Sequence, residues 1–260
     1  MGVIEHMKKR DFKGSVVLNP VPVVLITSRN KEGKENVFTV GWTGTVCTRP
    51  PMLSISVRPE RLSYDYIKES MEFVVNIPHA GMTKEVDFCG VRSGKKLDKI
   101  KEMNFTMKEC DNINASYIEE CPINIECRVK QIISLGSHDM FIADVLSSHI
   151  NEELIDENGK IHFEKGDLIA YCHGEYYKLP RTSIGCFGYS IMKKKESRAI
   201  KENKSSKDLK EGKKTDVLDK KTKYKSKSKD KNNNIENKKF RGKSSKNNKK
   251  SISKKIKKRK

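Results

Sequence analysis

Between residues 21 and 150 the chain repeats one habit, a short run of β-branched and aromatic residues closed by turn formers. "VPVVLITS" (21 to 28) ends in "RNKEGKEN", and "VFTVGWTGTV" follows, a pattern that reads as two strands with a hairpin-like connection. "MLSISV" (52 to 57) alternates apolar and polar residues, so one of its faces is buried. "EFVVNI" (72 to 77), "INIECRVKQIISLG" (123 to 136) and "MFIADVLSSHI" (140 to 150) continue the series, and "LIDENGKIHF" (154 to 163) centres on Asn158-Gly159, a pair suited to a hairpin turn. Helical periodicity is confined to "RLSYDYIKES", with Pro59 and Glu60 just ahead of it, and to residues 80 to 101. Many short strands with few helices predict a mainly β, antiparallel barrel or sandwich. No G-x-G-x-x-G and no G-x-x-x-x-G-K-[ST] occurs, so neither a Rossmann domain nor a phosphate-binding P-loop is supported.

The formal charge of +20 is carried by one end of the chain. Residues 193 to 260 hold 30 Lys or Arg against 8 Asp or Glu, whereas residues 1 to 192 hold 24 against 26. The body, 1 to 192, is therefore an ordinary, slightly acidic globular domain. The tail, 193 to 260, is Lys, Ser and Asn with widely spaced apolar residues such as Ile235, Phe240 and Ile252. It cannot bury enough apolar surface to offset about 1–2 kcal/mol of backbone entropy per residue, and it reads as disordered. A segment of this kind either tethers the protein to RNA, DNA or an anionic membrane by releasing counterions or is simply a solvated tail.

Seven cysteines without a C-x-x-C pair or regular spacing argue for reduced thiols, and no metal-ligand pattern is evident. "MGVIEHMKKRDFKG" has no apolar core suited to export, and no window approaches the ~18 apolar residues of a membrane span. The expected compartment is the cytoplasm. Cys172-His173 invites a thiol and base reading, but nothing in the sequence supplies the third, orienting group.

The stretch "NVFTVGWTGTVCTRPPMLSISVRPERLSYDYI" (36 to 67) delivers the only tryptophan, several small hydroxyl residues and two arginines on adjacent predicted elements. Singly, each has a bland explanation: Trp42 as a core aromatic, Arg58 and Arg61 as solvated charges, His138 between Ser137 and Asp139 as a turn residue. Their order carries more. Asn36, Gly41-Trp42, Pro50-Pro51, Arg58-Pro59 with Arg61 and Ser63, "FVVNIP" (73 to 78), "SGKKLDKI" (93 to 100), "LGSHDMFIADV" (135 to 145) and "FGYS" (187 to 190) together resemble the flavin reductase-like, FMN-binding split-barrel family, its flavoredoxin type in particular. The resemblance covers roughly residues 8 to 190. Pro180 and Arg181 stand where relatives approach the last motif more smoothly, and Ala143 stands where many have glycine.

The resemblance implies an antiparallel Greek-key split barrel with a few short helices, forming a homodimer with noncovalent FMN near the dimer interface. It places Asn36 and Trp42 at the border of the isoalloxazine ring, with Thr43, Gly44 and Thr45 bonding the ring edge and ribityl chain. Arg61 and Ser63, at a helix start, fit phosphate binding. Lys99 matches a basic position that reaches the flavin, where positive charge favours the anionic reduced ring. Phe187 matches an aromatic that closes the pocket, and His138 matches a histidine near the nicotinamide or flavin edge. The expected activity is that of a flavoprotein oxidoreductase taking hydride from NADH or NADPH and passing electrons to a free flavin, a ferric species or a protein. One alternative is an electron carrier of flavoredoxin type, without its own nicotinamide step. Another is a nucleic-acid or anionic-surface binder acting through the basic tail, although the barrel lacks the basic residues interleaved with aromatics of a single-strand platform.

Overall fold

The computed structural model describes residues 8 to 192. The expected unfolded basic tail, 193 to 260, lies outside the described residues. By its internal contacts the chain divides into two units, Met1–Ile184 and Gly185–Lys260.

The first unit is mainly antiparallel β structure. Along the chain run β1 (Val21–Pro22), β2 (Val24–Arg29), β3 (Glu35–Val40), β4 (Thr43–Thr48), β5 (Pro51–Val57), α1 (Leu62–Ser70) and β6 (Glu72–Ile77). They are followed by α2 (Thr83–Val91), α3 (Lys99–Glu102), β7 (Met107–Glu109), β8 (Ser116–Ile118), β9 (Ile123–Ser134), β10 (Asp139–Ile150), β11 (Ile169–Cys172) and β12 (Glu175–Lys178). Seven strands form one sheet in the order β3-β2-β6-β9-β10-β5-β4, with every pairing antiparallel. The register between β9 and β10 shifts at Ile142/Ala143 and again at Val145/Ser147. Such bulges bend and twist long strands, and the sheet curls into a split barrel. Its two edge strands, β3 and β4, are consecutive in sequence; at the turn between them the Ser56 N–H donates to the Trp42 carbonyl at 2.9 Å.

The core follows the period-two pattern. Val24 and Ile26 of β2 pack inside the barrel with Phe38, Ile55, Phe73 and Phe141. Leu25 faces the other way, into a second cluster with Val37, Met82, Val86 and Cys89 that seats α2. β2 is thus covered on both faces, which explains its unbroken apolar run. Helix α1 plugs the barrel with Tyr64 and Ile67, and the Tyr64 hydroxyl donates to Asp139 at 2.7 Å. The helix ends at Met71 in a left-handed conformation (φ 60°), with its N–H on the Ile67 carbonyl. No helix among the described residues is long and apolar enough to cross a membrane.

Residues 154 to 163 turn back at Asn158-Gly159, as expected, with Ile155 bridging Ile161 and backbone bonds from the Asp156 N–H to the Lys160 carbonyl and from the His162 N–H to the Leu154 carbonyl. The Asp156 side chain adds to this by accepting the Asn158 and Lys160 N–H groups and pairing with His162 at 2.8 Å. The helical span expected over 80 to 101 is a 3-10 turn at Ala80–Met82 and two helices, α2 and α3, separated by the loop around Gly94. Cys172-His173 begins the turn of the β11-β12 hairpin, where His173 (φ 48°) and Gly174 (φ 98°) are both left-handed, as a two-residue hairpin turn of this hand requires.

Candidate functional site

The end of β3 and the Gly41-Trp42 turn form one wall of a cleft of about 350 Å³, a size typical of small ligand sites. The last turn of α2, with Gly90 and Val91, and the β11-β12 hairpin, with Tyr171 and Tyr176, contribute to its lining. Arg58, Arg61 and His138 also line it. The Trp42 and His138 rings lie 4.4 Å apart, tilted at 47°. Partial burial, followed by the positive charges of Arg58 and Arg61, holds the His138 imidazole below its usual pKa, against an opposing pull from Glu60. The ring is therefore mostly neutral at pH 7. Within the lining the Tyr176 hydroxyl donates to Asp87 at 3.2 Å.

Phe38, Thr39, Arg61 and Gly90 line both this cleft and an adjoining small well of about 20 Å³. The well is polar and buried. Asn36 (5% exposed), near the start of β3, faces α1 and donates from Nδ2 to Ser63 Oγ at 2.7 Å. Ser63 (0% exposed) is the second residue of α1, so its hydroxyl, having accepted from Asn36, keeps its own O–H for a ligand. Arg61 is the residue before the helix, with extended backbone (φ −74°, ψ 139°), and the first N–H groups of α1 lack helical partners. Gly94 closes the well by close approach: a Cβ there would fall 2.2 Å from Asn36 Oδ1.

Lys99, the first residue of α3, completes it. Asp98 caps that short helix by accepting the Lys101 N–H, and this turns Lys99 inward to 3% exposure. Its Nζ donates to the Cys89 carbonyl at 3.0 Å, in the last turn of α2 where the helix dipole favours a cation. Among the described residues no carboxylate pairs with it. Burial, with Arg61 adding to it and Cys89 opposing, pulls the ammonium down to about 8, and burial pushes the Cys89 thiol up to about 11.

Of the residues singled out in the sequence, Asn36, Ser63, Lys99 and Arg61 thus meet at the well, and Trp42 and His138 meet with Arg61 at the cleft. Lys99 lines the well and is not among the cleft residues beside Trp42. Thr43, Gly44 and Thr45 begin the edge strand β4, next to Trp42 but outside the cleft lining. Phe187 belongs to the second unit, just before the short turn Tyr189–Ile191. Sequence reasoning missed Asp87, Gly90, Tyr171 and Tyr176. Only the "YCHGEYY" alternation around a turn pair could have signalled the last two. Elsewhere, Asp111, Glu126 and His149 come close enough to hold a metal, but Glu126 already accepts two backbone N–H groups and pairs with His149 at 2.6 Å, so it reads as an anchor for the 110 to 114 loop.

A curled seven-stranded antiparallel sheet with a cationic well beside an aromatic cleft defines a split-barrel ligand-binding protein. The family model described as "Flavin reductase like domain" matches residues 17–180, and the chain belongs to that family. A flavoredoxin from Methanosarcina acetivorans has the same fold, at a TM-score of 0.64 and 29% identity over 72% of this chain and all of that one. A protein of Archaeoglobus fulgidus is 32% identical over 55% of this chain and 78% of its own length. The "FMN reductase (NADH) RutF" of Serratia proteamaculans is 22% identical over 62% of this chain and 87% of its own.

Proposed function

We propose that the protein is an FMN-dependent oxidoreductase that takes hydride from NADH or NADPH and delivers electrons to a free flavin, a ferric species or a partner protein. The observation that carries this reading is the buried Lys99 ammonium without a carboxylate partner, set beside Ser63 and Arg61 in a well that adjoins an aromatic-walled cleft. Where the well opens on the cleft at Arg61, a phosphate would meet an ammonium, a guanidinium, a hydroxyl and the first helix N–H groups. The cleft suits a planar ring, with Trp42, Tyr171 and Tyr176 among its lining.

When bound, FMN supplies the two-electron chemistry. The chain's own residues bind and orient. Arg61, Ser63 and Lys99 hold the phosphate end; Asn36 fixes the Ser63 hydroxyl; Trp42 flanks the ring; and Thr43, Gly44 and Thr45 bond its edge. His138, kept neutral, borders the donor's approach without adding charge there. Hydride delivery requires no proton-transferring side chain, so no triad is needed. The domain extends over residues 1 to 192, with the basic segment 193 to 260 as a separate tail; the family match over 17–180 falls wholly within that domain, while the compact unit ends a little earlier, at Ile184. The protein forms a homodimer through the β4 edge, where Trp42 and Val46 are about half exposed and an unpaired strand invites association.

Flavoredoxin similarity favours a second reading, an electron carrier reduced by another protein. Steady-state absorbance of NADH or NADPH with the full chain and added FMN separates the two. Sustained consumption that scales with protein supports the reductase; its absence with both nucleotides leaves the carrier.

A further inference from the structure

Among the described residues Lys99 makes its hydrogen bond to the Cys89 carbonyl and has no counter-ion. Among them, its surroundings contribute no other group that changes charge near neutrality. On α2, burial keeps the Cys89 thiol protonated to about 11; Glu85, which acts on Cys89, is not among the groups that shift Lys99; and Arg92 lines the well as a permanent cation. At the α1 start Arg61 is likewise always charged, and β3 contributes the uncharged Asn36, Phe38 and Thr39. On its own helix, Asp98 caps Lys101, and Lys101 and Glu102 are exposed.

We propose that the terminal phosphate of FMN binds as a dianion where the well opens on the cleft at Arg61, together with one proton taken up at Lys99, so that flavin occupancy is coupled to pH through this residue. The proposal rests on the flavin reading above and adds a linkage to it. In the flavin-free protein the Lys99 ammonium is disfavoured by burial and by Arg61. A phosphate in the well supplies the missing negative charge and restores the ordinary preference for the protonated amine. Phosphate monoesters have their second pKa near ~6, so above pH 7 the ligand is already about nine-tenths or more dianion and its own charge changes little. As pH rises through about 8 the free protein loses the proton that the complex keeps. Each FMN bound at pH 9 then takes up about 0.9 proton, against about 0.1 at pH 7, and affinity falls roughly tenfold between the two.

The test is isothermal titration of the full chain with FMN at pH 7 and pH 9, each in two buffers of different ionisation enthalpy, alongside riboflavin. The expected result is proton uptake near one per FMN at pH 9, little at pH 7, and none with riboflavin. Lys99→Arg, which keeps a permanent cation, and Lys99→Met, which removes it, should both abolish the uptake, with Lys99→Arg retaining the tighter FMN binding of the two. Absence of uptake in the wild type at pH 9, or equal uptake in Lys99→Arg, overturns the proposal while leaving FMN binding intact. If the variants do not fold, the wild-type contrast of FMN with riboflavin decides, since only the phosphate differs. Failure of FMN to bind at either pH overturns the flavin reading itself and the linkage with it.

Discussion

Replacing both Arg61 and Ser63 by alanine should weaken FMN by 10- to 100-fold or more while leaving riboflavin nearly unchanged. Both ligands share the ring and ribityl chain, and only FMN carries the phosphate. Arg61 lines the well and the cleft together, and Ser63 is buried with its hydroxyl oriented by Asn36. Charge-assisted hydrogen bonds contribute about 1.5–3 kcal/mol each, and ~1.4 kcal/mol is tenfold in affinity. Ser63→Ala also strands the Asn36 amide in the interior, at about 1–3 kcal/mol of stability. Arg61→Ala alone, at an exposed position, provides the variant with an intact fold. Trp42→Ala should instead weaken both flavins together. Fluorescence quenching measures all of these, and equal losses for FMN and riboflavin in the Arg61 variant would place the phosphate elsewhere.

Phe141→Ala should cost the barrel about 3–5 kcal/mol, as large-to-small changes at fully buried aromatics do. Phe141 is completely buried near the start of β10 and lies opposite Ile55 of β5 and Ile132 of β9. Its ring meets Tyr64 edge-on at 5.6 Å, so the cavity would open directly beneath the helix that presents Ser63. Single domains have total stabilities of roughly 5–15 kcal/mol, which makes this loss a large fraction. Calorimetry should show a midpoint lower by about 6–20 °C for a domain of this size. Leu135→Ala, at an exposed position in the β9-β10 turn, should stay within about 0.5 kcal/mol of wild type.

The barrel was legible because its strands advertise themselves. Period-two alternation in "MLSISV" became β5, and the apolar runs at 123 to 134 and 139 to 150 became the long central pair. What escaped was set by individual contacts. The helical span expected across 80 to 101 breaks into a 3-10 turn and two helices separated by the loop around Gly94, which packs tightly on Asn36.

The site divides in the same way. Arg61, Ser63 and Lys99 were visible through their order in a recognisable succession of motifs. That Lys99 shares the well with Ser63 rather than the cleft with Trp42 depends on the loop at Gly94, whose tight approach to Asn36 no local pattern reveals. Tyr171 and Tyr176 reach the cleft only because β11 pairs with β1, more than a hundred residues away in sequence.

Native mass spectrometry of the purified full chain should show a species of two chains carrying two molecules of FMN, with the flavin released intact on denaturation. A dimer or monomer that remains free of flavin after incubation with excess FMN would contradict the flavin reading.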